Sequence, residues 1–168
     1  MSVLPIVRWP DPRLAQPCAP VDLGDMARLS SLVGDMFETM YAAPGRGLAA
    51  PQVGQMLRLF VMDCGWKEGD MAPLACINPE ILQAASTLVP GDEGCLSIPG
   101  VTAQVLRPEW VVLGWTGLDG ARHSRRLQGF EARCAQHELD HLDGVLTFHR
   151  LEASASAALQ AEYAGLVQ

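Results

Sequence analysis

The sequence predicts a single α+β domain in which antiparallel β-sheets pack around a central helix that bears two histidines. Three observations support this prediction. An amphipathic helical repeat begins after Asp25, strand-like runs separated by turn residues occupy positions 57–127, and helical signals return from Gln128 to Gly144. A chain of 168 residues has the size of one domain and can bury a substantial core. We therefore expect one domain that spans residues 1–168.

The composition limits the class of protein. Hydrophobic residues make up 49% of the chain and charged residues 18%, a balance that excludes a disordered protein. No apolar run approaches the roughly 20 residues of a membrane span, and the N-terminus has neither a basic leader nor a long apolar segment. The net charge is -7 and Lys67 is the only lysine, which disfavours direct nucleic-acid binding. We expect a cytoplasmic protein that contacts neither membranes nor nucleic acids.

The cysteines and one run of basic residues have patterns that indicate ordinary structural roles. The five cysteines are widely spaced and contain no C-x-x-C pair, so they indicate reduced thiols rather than a disulfide framework or a zinc ribbon. The basic residues between Arg122 and Arg126 could form a binding patch, but such runs are more often the solvated face of a strand. We therefore expect no general anion-binding surface.

The N-terminal part of the chain combines an arm with a helix. Five prolines within the first twenty residues disfavour a helix interior and a central strand, so this segment should be an extended arm or loop. Apolar residues then recur at helical spacing over positions 26–40, with Asp22 or Asp25 as the N-cap and Pro44-Gly45 as the stop. A glycine-rich loop should follow at 45–54.

Strands dominate the middle of the chain. Runs rich in β-branched and apolar residues predict strands at 57–63, 74–78, 81–89, 101–106 and 110–115. We expect Pro79 to end the second strand, and turns at 65–70 and at Pro90-Gly91-Asp92. The segment from Trp110 to Leu127 should form a hairpin, because Asp119-Gly120 supplies the positive backbone angles of a tight turn.

Helical signals dominate the C-terminal part of the chain. An acidic residue in the first turn and a glycine at the exit predict a helix over 128–144. One face of this helix carries Phe130, Cys134, His137 and His141. An alanine-rich segment at 153–164 predicts a last helix, with little amphipathic character.

The pentapeptide His137-Glu138-Leu139-Asp140-His141 indicates a metal site. Two histidines four residues apart lie on one helical face, so both imidazoles can reach a single cation. Glu138 is offset around the helix, where it can act as a general base without being a ligand. The alternative is an ordinary helix with two surface histidines and an acid. A zinc-type catalytic site needs a third protein ligand, and the candidates are His149, Glu152 and, upstream, Cys95.

Three motifs together carry a family resemblance. The chain contains Gly45-Arg46-Gly47-Leu48-Ala49-Ala50-Pro51-Gln52, Glu93-Gly94-Cys95-Leu96-Ser97 and Gln136-His137-Glu138-Leu139-Asp140-His141, in this order. It resembles the peptide deformylase family, whose motifs are GxGLAAxQ, EGCLS and HExDH, over almost its whole length. The resemblance implies a metal-dependent hydrolase that removes the N-formyl group from the N-terminal formylmethionine of newly synthesised polypeptides and releases formate.

The resemblance also implies roles for individual residues. The metal ligands would be Cys95, His137 and His141. They would bind one divalent ion, with Fe(II) favoured and Zn(II) or Ni(II) as other occupants. Glu138 would take a proton from the attacking water and deliver a proton to the departing amine. The Gln52 side chain and the Leu96 backbone N–H would stabilise the developing oxyanion.

Further residues are expected around the substrate and the ligands. The substrate-binding candidates are Gly47, Arg46, Phe130 and Cys134. Gly47 would let the loop backbone come close to an extended peptide. Arg46 stands where family members usually carry an aliphatic residue that lines the methionine pocket, and we hypothesise that it leans over the pocket mouth with its charge in solvent and alters substrate preference. Glu93, Arg107 and Asp140 could either orient the ligands or form surface ion pairs.

Two other functions stay open on the sequence alone. A metallopeptidase could use the same ligands on internal peptide bonds, and a catalytically idle or retargeted paralogue could bind formyl-peptides or partners without turnover. The basic residues that some bacterial family members use for ribosome docking are absent after Arg150. Docking by that route is therefore doubtful, although the ribosome stays open as a partner, and nascent formylmethionyl polypeptides are the expected substrates.

Overall fold

The computed structural model describes residues 1–168 and contains three α-helices and seven β-strands. The helices are α1 (Met26–Ala42), α2 (Gly129–Leu142) and α3 (Ala153–Leu166). The strands are β1 (Gly47–Ala49), β2 (Leu59–Met62), β3 (Leu74–Ala84), β4 (Leu88–Cys95), β5 (Ile98–Pro108), β6 (Trp110–Thr116) and β7 (Arg122–Gln128).

Two antiparallel sheets pack around α2. Five strands form one sheet in the order β1-β2-β3-β6-β7, and β4 pairs with β5 in a separate two-stranded sheet. Ala132, Ala135 and Leu142 of α2 belong to the same buried cluster as Phe60 and Leu113 of the larger sheet. Helix α2 also contacts β5 of the smaller sheet. The predicted α+β fold with a central histidine-bearing helix is therefore confirmed.

The N-terminal arm and α1 follow the prediction. Before Met26 the chain forms a short 3-10 turn at Pro12–Ala15 and a single β-bridge between Ala19 and Leu57. Asp25 caps α1 by accepting a hydrogen bond from the backbone N–H of Arg28 at 3.0 Å. The buried face of α1 packs against β1 and β2. The glycine-rich segment that follows is more ordered than a loop, because it contains β1 and a 3-10 turn at Ala50–Val53.

The expectation that Pro79 ends a strand is wrong. Strand β3 continues through Pro79 to Ala84, and its pairing with β6 shifts register between Ile77 and Glu80. Such a bulge tolerates a residue that has no backbone N–H to donate to the ladder. Asn78, just before the proline, has a φ of 47°, which is consistent with this local irregularity.

The expected turn at Pro90-Gly91-Asp92 is also wrong, because these residues lie inside β4 and pair with 104–106 of β5. Proline is tolerated here because β4 belongs to a two-stranded sheet and has a free edge. Gly91 is explained by packing, since an added Cβ would lie 2.5 Å from the guanidinium of Arg133. Strand β5 is correspondingly longer than the predicted 101–106.

The C-terminal half otherwise follows the sequence. Strands β6 and β7 form the predicted hairpin, with Gly120 at a φ of 75° in the turn. The basic residues of β7 are exposed, and Arg122 and Arg125 pair with carboxylates, so this run is a solvated strand face. None of the helices combines the length and apolar character needed to cross a membrane.

Candidate metal centre

Helix α2 brings the two motif histidines together. The Nε2 atoms of His137 and His141 lie 3.2 Å apart, and both side chains are buried. The helix ends at Leu142, and Gly144 just beyond it has a φ of 73° and an N–H that donates to the carbonyl of His141. An added Cβ at Gly144 would lie 2.8 Å from the backbone of the N-terminal arm, so glycine fixes how closely the arm packs on this end of α2.

Cys95 completes a three-donor cluster from the end of β4. A register shift between Glu93 and Cys95 accompanies the tight connection to β5, and the thiol lies 3.3 Å from His141 Nε2. The three donor atoms of Cys95, His137 and His141 all lie within 4.8 Å of one another. Tetrahedral coordination with ordinary metal–nitrogen and metal–sulfur distances would separate donors by about 3.3 to 3.6 Å. The cluster therefore fits one divalent cation.

Glu93 determines which nitrogen of His137 faces the cluster. Its carboxylate accepts hydrogen bonds from Arg107, from Arg133 at 2.8 Å and from His137 Nδ1 at 2.9 Å. Although burial alone would raise the pKa of Glu93, hydrogen bonds from Arg107 and His137 lower it to about 2. An ionised carboxylate can only accept, so His137 carries its proton on Nδ1 and presents the Nε2 lone pair to a metal.

The charged residues around the ligands form a buried network. Arg107 is 3% exposed and bridges Glu93 to Asp140, with 2.8 Å between its Nη1 and Asp140 Oδ2. Asp140 also accepts two hydrogen bonds from Arg150, whose side chain reaches the surface. The alternative that Glu93, Arg107 and Asp140 form surface ion pairs is therefore excluded by their burial.

Glu138 lies in a setting suited to proton transfer. Its side chain is buried, and Oε2 has no hydrogen-bond partner. Burial raises the pKa of Glu138 to about 7, against the opposing effect of the nearby His137. A carboxyl group with this pKa exchanges protons readily near neutral pH. The absence of a side chain at Gly47 makes room for it, because an added Cβ there would lie 2.5 Å from Glu138 Oε1.

A cavity of about 410 Å³ opens beside the cluster and contains the other predicted residues. Its lining includes Gln52, Leu96, Gly47, Arg46, Phe130, Cys134 and Glu138. The Gln52 amide is held at both ends, because Oε1 accepts from the Ala49 N–H at 2.9 Å and Nε2 donates to Ser97 Oγ at 3.1 Å. The same Nε2 lies 3.6 Å from Cys95 Sγ, so it faces the donor cluster.

The charge of Arg46 is paired with a carboxylate, whereas we expected it to lie free in solvent. Its guanidinium forms two hydrogen bonds with Glu68, at 2.6 and 2.8 Å, and its side chain is only 25% exposed. It also donates to the backbone carbonyl of Cys64 and lies 5.5 Å from the centre of the Phe130 ring. The charge of Arg46 is therefore paired, and the side chain is a fixed part of the cavity wall.

Sequence reasoning missed some residues of the site. Arg133 lines the cavity and donates to Glu93 and to the backbone carbonyls of Val89 and Val105. Its position four residues before His137 places it on the same helical face, which is the signal that could have found it. The downstream candidate His149 is not part of the donor cluster, and its Nδ1 accepts from the Leu146 N–H instead.

The chemistry of this site defines the class of protein. A buried carboxylate that lacks a hydrogen-bond partner, next to a Cys-His-His cluster, can transfer protons in a hydrolytic reaction. This combination is characteristic of metal-dependent hydrolases.

Comparison with known proteins defines the family. The sequence model described as polypeptide deformylase matches residues 3–157. A peptide deformylase from Novosphingobium aromaticivorans is 43% identical over 170 residues, covering 90% of each chain. One from Brucella suis is 46% identical over 147 residues, covering 87% of this chain and 83% of the relative. A crystal structure of a peptide deformylase from Legionella pneumophila has a TM-score of 0.91 at 34% identity, covering 98% of this chain and 95% of that one.

The chain belongs to the polypeptide deformylase family, because the family match spans nearly all of it. Members of this family are hydrolases that remove the N-formyl group from nascent polypeptides, and this chain is an enzyme of that kind.

Proposed function

We propose that Cys95, His137 and His141 hold one divalent metal in the deformylation of formylmethionyl polypeptides, and that residues 1–168 act as one catalytic domain. The main support for the proposal is that the donor atoms of these three residues all lie within 4.8 Å of one another. A thiolate with two imidazoles suits Fe(II), Zn(II) and Ni(II). We propose Fe(II) as the metal of the active enzyme, on the resemblance to the family.

Glu138 acts as the proton carrier of the reaction. A divalent cation held by Cys95, His137 and His141 would supply Lewis acidity and would lower the pKa of the attacking water. The Glu138 carboxylate accepts a proton from the water that attacks the formyl carbon, and it returns a proton to the departing amine. Its burial and its unpartnered Oε2 support this role, because both leave the carboxylate free to exchange a proton inside the cavity.

Gln52 and Leu96 stabilise the negative charge that develops on the formyl oxygen. The Gln52 amide is fixed by Ala49 and Ser97, so Nε2 is held beside Cys95 before substrate arrives. A donor that is already oriented loses no free energy to reorganisation during the reaction. The Leu96 backbone N–H is the second donor, supported by the position of Leu96 in the same cavity wall.

The first residue of the substrate occupies the cavity between β1 and α2. Arg46, Gly47, Phe130 and Cys134 contact it, supported by their shared position in the cavity lining. Nascent chains are the substrates, so we place the enzyme in the cytoplasm. Helix α3 contains no lysine or arginine.

The test is formate release from a formyl-Met tripeptide by anaerobically purified, Fe(II)-loaded protein. Glu138→Ala with the same metal content is the matched variant, and we expect it to lose about 10²-fold to 10⁴-fold in kcat. If wild type releases no formate with metal bound, the protein is an idle or retargeted paralogue. Cleavage of internal peptide bonds in unformylated substrates would instead support a metallopeptidase.

A further inference from the structure

A second cavity lies next to the active-site cavity. It has a volume of about 520 Å³, compared with about 410 Å³ for the cavity beside the donor cluster. Arg46 and Phe130 are the only residues that line both cavities. Its remaining lining combines the apolar side chains of Met62, Cys64 and Ala72 with charged residues at its rim, which include Glu68 and Asp70. The side chains of Arg46 and Phe130 therefore form the wall between the two spaces.

The wall is held in place by Glu68. Both oxygens of its carboxylate accept hydrogen bonds from Arg46, at 2.6 and 2.8 Å, which is the planar two-point geometry that a guanidinium forms best. Hydrogen bonding from Arg46 lowers the pKa of Glu68, so the carboxylate stays charged at neutral pH. The guanidinium is also stabilised by the Phe130 ring, whose centre is 5.5 Å from Cζ.

We propose that the pair of Arg46 and Glu68 sets the upper size limit for the first side chain of the substrate, with Glu68 as the positioning residue that keeps Arg46 across the opening. This inference rests on the proposed function, which assigns Arg46 and Phe130 to the pocket for that side chain. When Arg46 is removed or released, the two cavities join. The enlarged pocket then admits formylated peptides whose first side chain is longer than that of methionine.

The experiment compares two substrates that differ only in the first side chain. One is formyl-Met-Ala-Ser, and the other carries the linear 2-aminodecanoyl residue in place of methionine. The measured quantity is the ratio of kcat/KM for the long substrate to kcat/KM for the methionine substrate. We expect Arg46→Ala to raise this ratio about tenfold or more, because hydrophobic pockets discriminate added methylenes by about that factor. Glu68→Gln should raise it less, since Arg46 keeps its contacts with the Cys64 carbonyl and Phe130.

A double variant tests whether Glu68 acts through Arg46. The ratio for Arg46→Ala with Glu68→Gln should equal that for Arg46→Ala alone, because Glu68 then has no guanidinium to position. The matched control is Glu80→Gln, which breaks another exposed pair, with Arg122, and lines neither cavity. The carboxylate side chains are similarly exposed, 60% for Glu80 and 61% for Glu68. Glu80→Gln should leave the ratio unchanged.

The outcomes separate this inference from the proposed function. If wild type fails to deformylate the methionine substrate, the proposed function is refuted and the inference with it. Wild type and Arg46→Ala can both deformylate the methionine substrate and still show the same ratio of kcat/KM for the long substrate to kcat/KM for the methionine substrate. That result would refute only the size-limit inference. Additive effects of the two substitutions would show that Glu68 does not act through Arg46. Melting temperature and metal content identify any variant whose fold or loading has changed.

Discussion

Replacing Gly47 with alanine tests how strictly the position of Glu138 controls the reaction. The added Cβ would lie 2.5 Å from Glu138 Oε1, and ordinary van der Waals contact begins at 3.4 Å, so the carboxylate must move by about 3.4 − 2.5 = 0.9 Å. A misplacement of about 1 Å in a reacting group can cost about 10²-fold in rate. We therefore expect kcat to fall about 100-fold in Gly47→Ala, which corresponds to about 2.7 kcal/mol of activation free energy.

Stability and metal binding should change little in the same variant. The atoms that must move belong to the end of a flexible glutamate side chain and to Cys134 Sγ, 2.9 Å from the added Cβ, so we expect a change of less than about 2 kcal/mol in the free energy of unfolding. The assay is formate release under saturating substrate, with metal content and chemical denaturation measured on the same preparation. Gly165→Ala serves as the control, because an added Cβ there meets nothing within 4 Å. A metal-loaded Gly47→Ala enzyme with wild-type kcat would refute the reasoning.

Three further predictions concern the groups around the ligands. Gln52→Ala should retain metal and lose about 10²-fold to 10³-fold in kcat, measured by formate release, because an oriented donor is removed. In urea denaturation, Arg107→Met should lower the free energy of unfolding by about 3 kcal/mol, since it removes the buried guanidinium that bridges Glu93 and Asp140. Arg125→Gln, at an exposed pair, should cost less than about 1 kcal/mol in the same measurement. The pKa of Glu93 is about 2 in the folded state, below its unfolded value. Ionised Glu93 therefore stabilises the folded state above the unfolded pKa, and this stabilisation is lost as pH falls from about 5 towards 2. The unfolding free energy of metal-free wild type should therefore decrease more steeply over this range than that of Glu93→Gln, by up to about 1.4 kcal/mol per pH unit, and equal slopes would contradict this assignment.

Local patterns predicted those parts of the fold that local interactions determine. The N-cap at Asp25, the helical repeat of α1 and the Asp119-Gly120 hairpin all depend on residues within a few positions of one another. The motif at 137–141 likewise predicted two donors on one helical turn, because helix geometry alone sets their separation. Cys95 was predicted as the third metal ligand from the family resemblance and from the need for another ligand, because no local pattern identifies it.

The errors arose where distant partners override local signals. Pro90-Gly91-Asp92 has the composition of a turn, but pairing with β5 extends the strand through it, and the packing of Arg133 explains the glycine. The partner of Arg46 could not be predicted because Glu68 is 22 positions away and approaches through the chain after β2. The burial of Arg107 depends in the same way on contacts with residues 14 and 33 positions away.

The faces of α2 explain why so many polar side chains can be buried on one helix. Arg133, His137 and Asp140 lie at intervals of four and three residues, and all three contact the Glu93 and Arg107 pair contributed by β4 and β5. The adjacent side of the helix presents Cys134 and Glu138, also four residues apart, to Gly47 at the edge of the larger sheet. Rotation of α2 about its axis would leave charges on one side without partners and drive Glu138 into the backbone of β1 on the other. Because a buried unpaired charge costs several kcal/mol, the interactions that allow α2 to be buried also fix the direction in which its metal ligands and its proton carrier point.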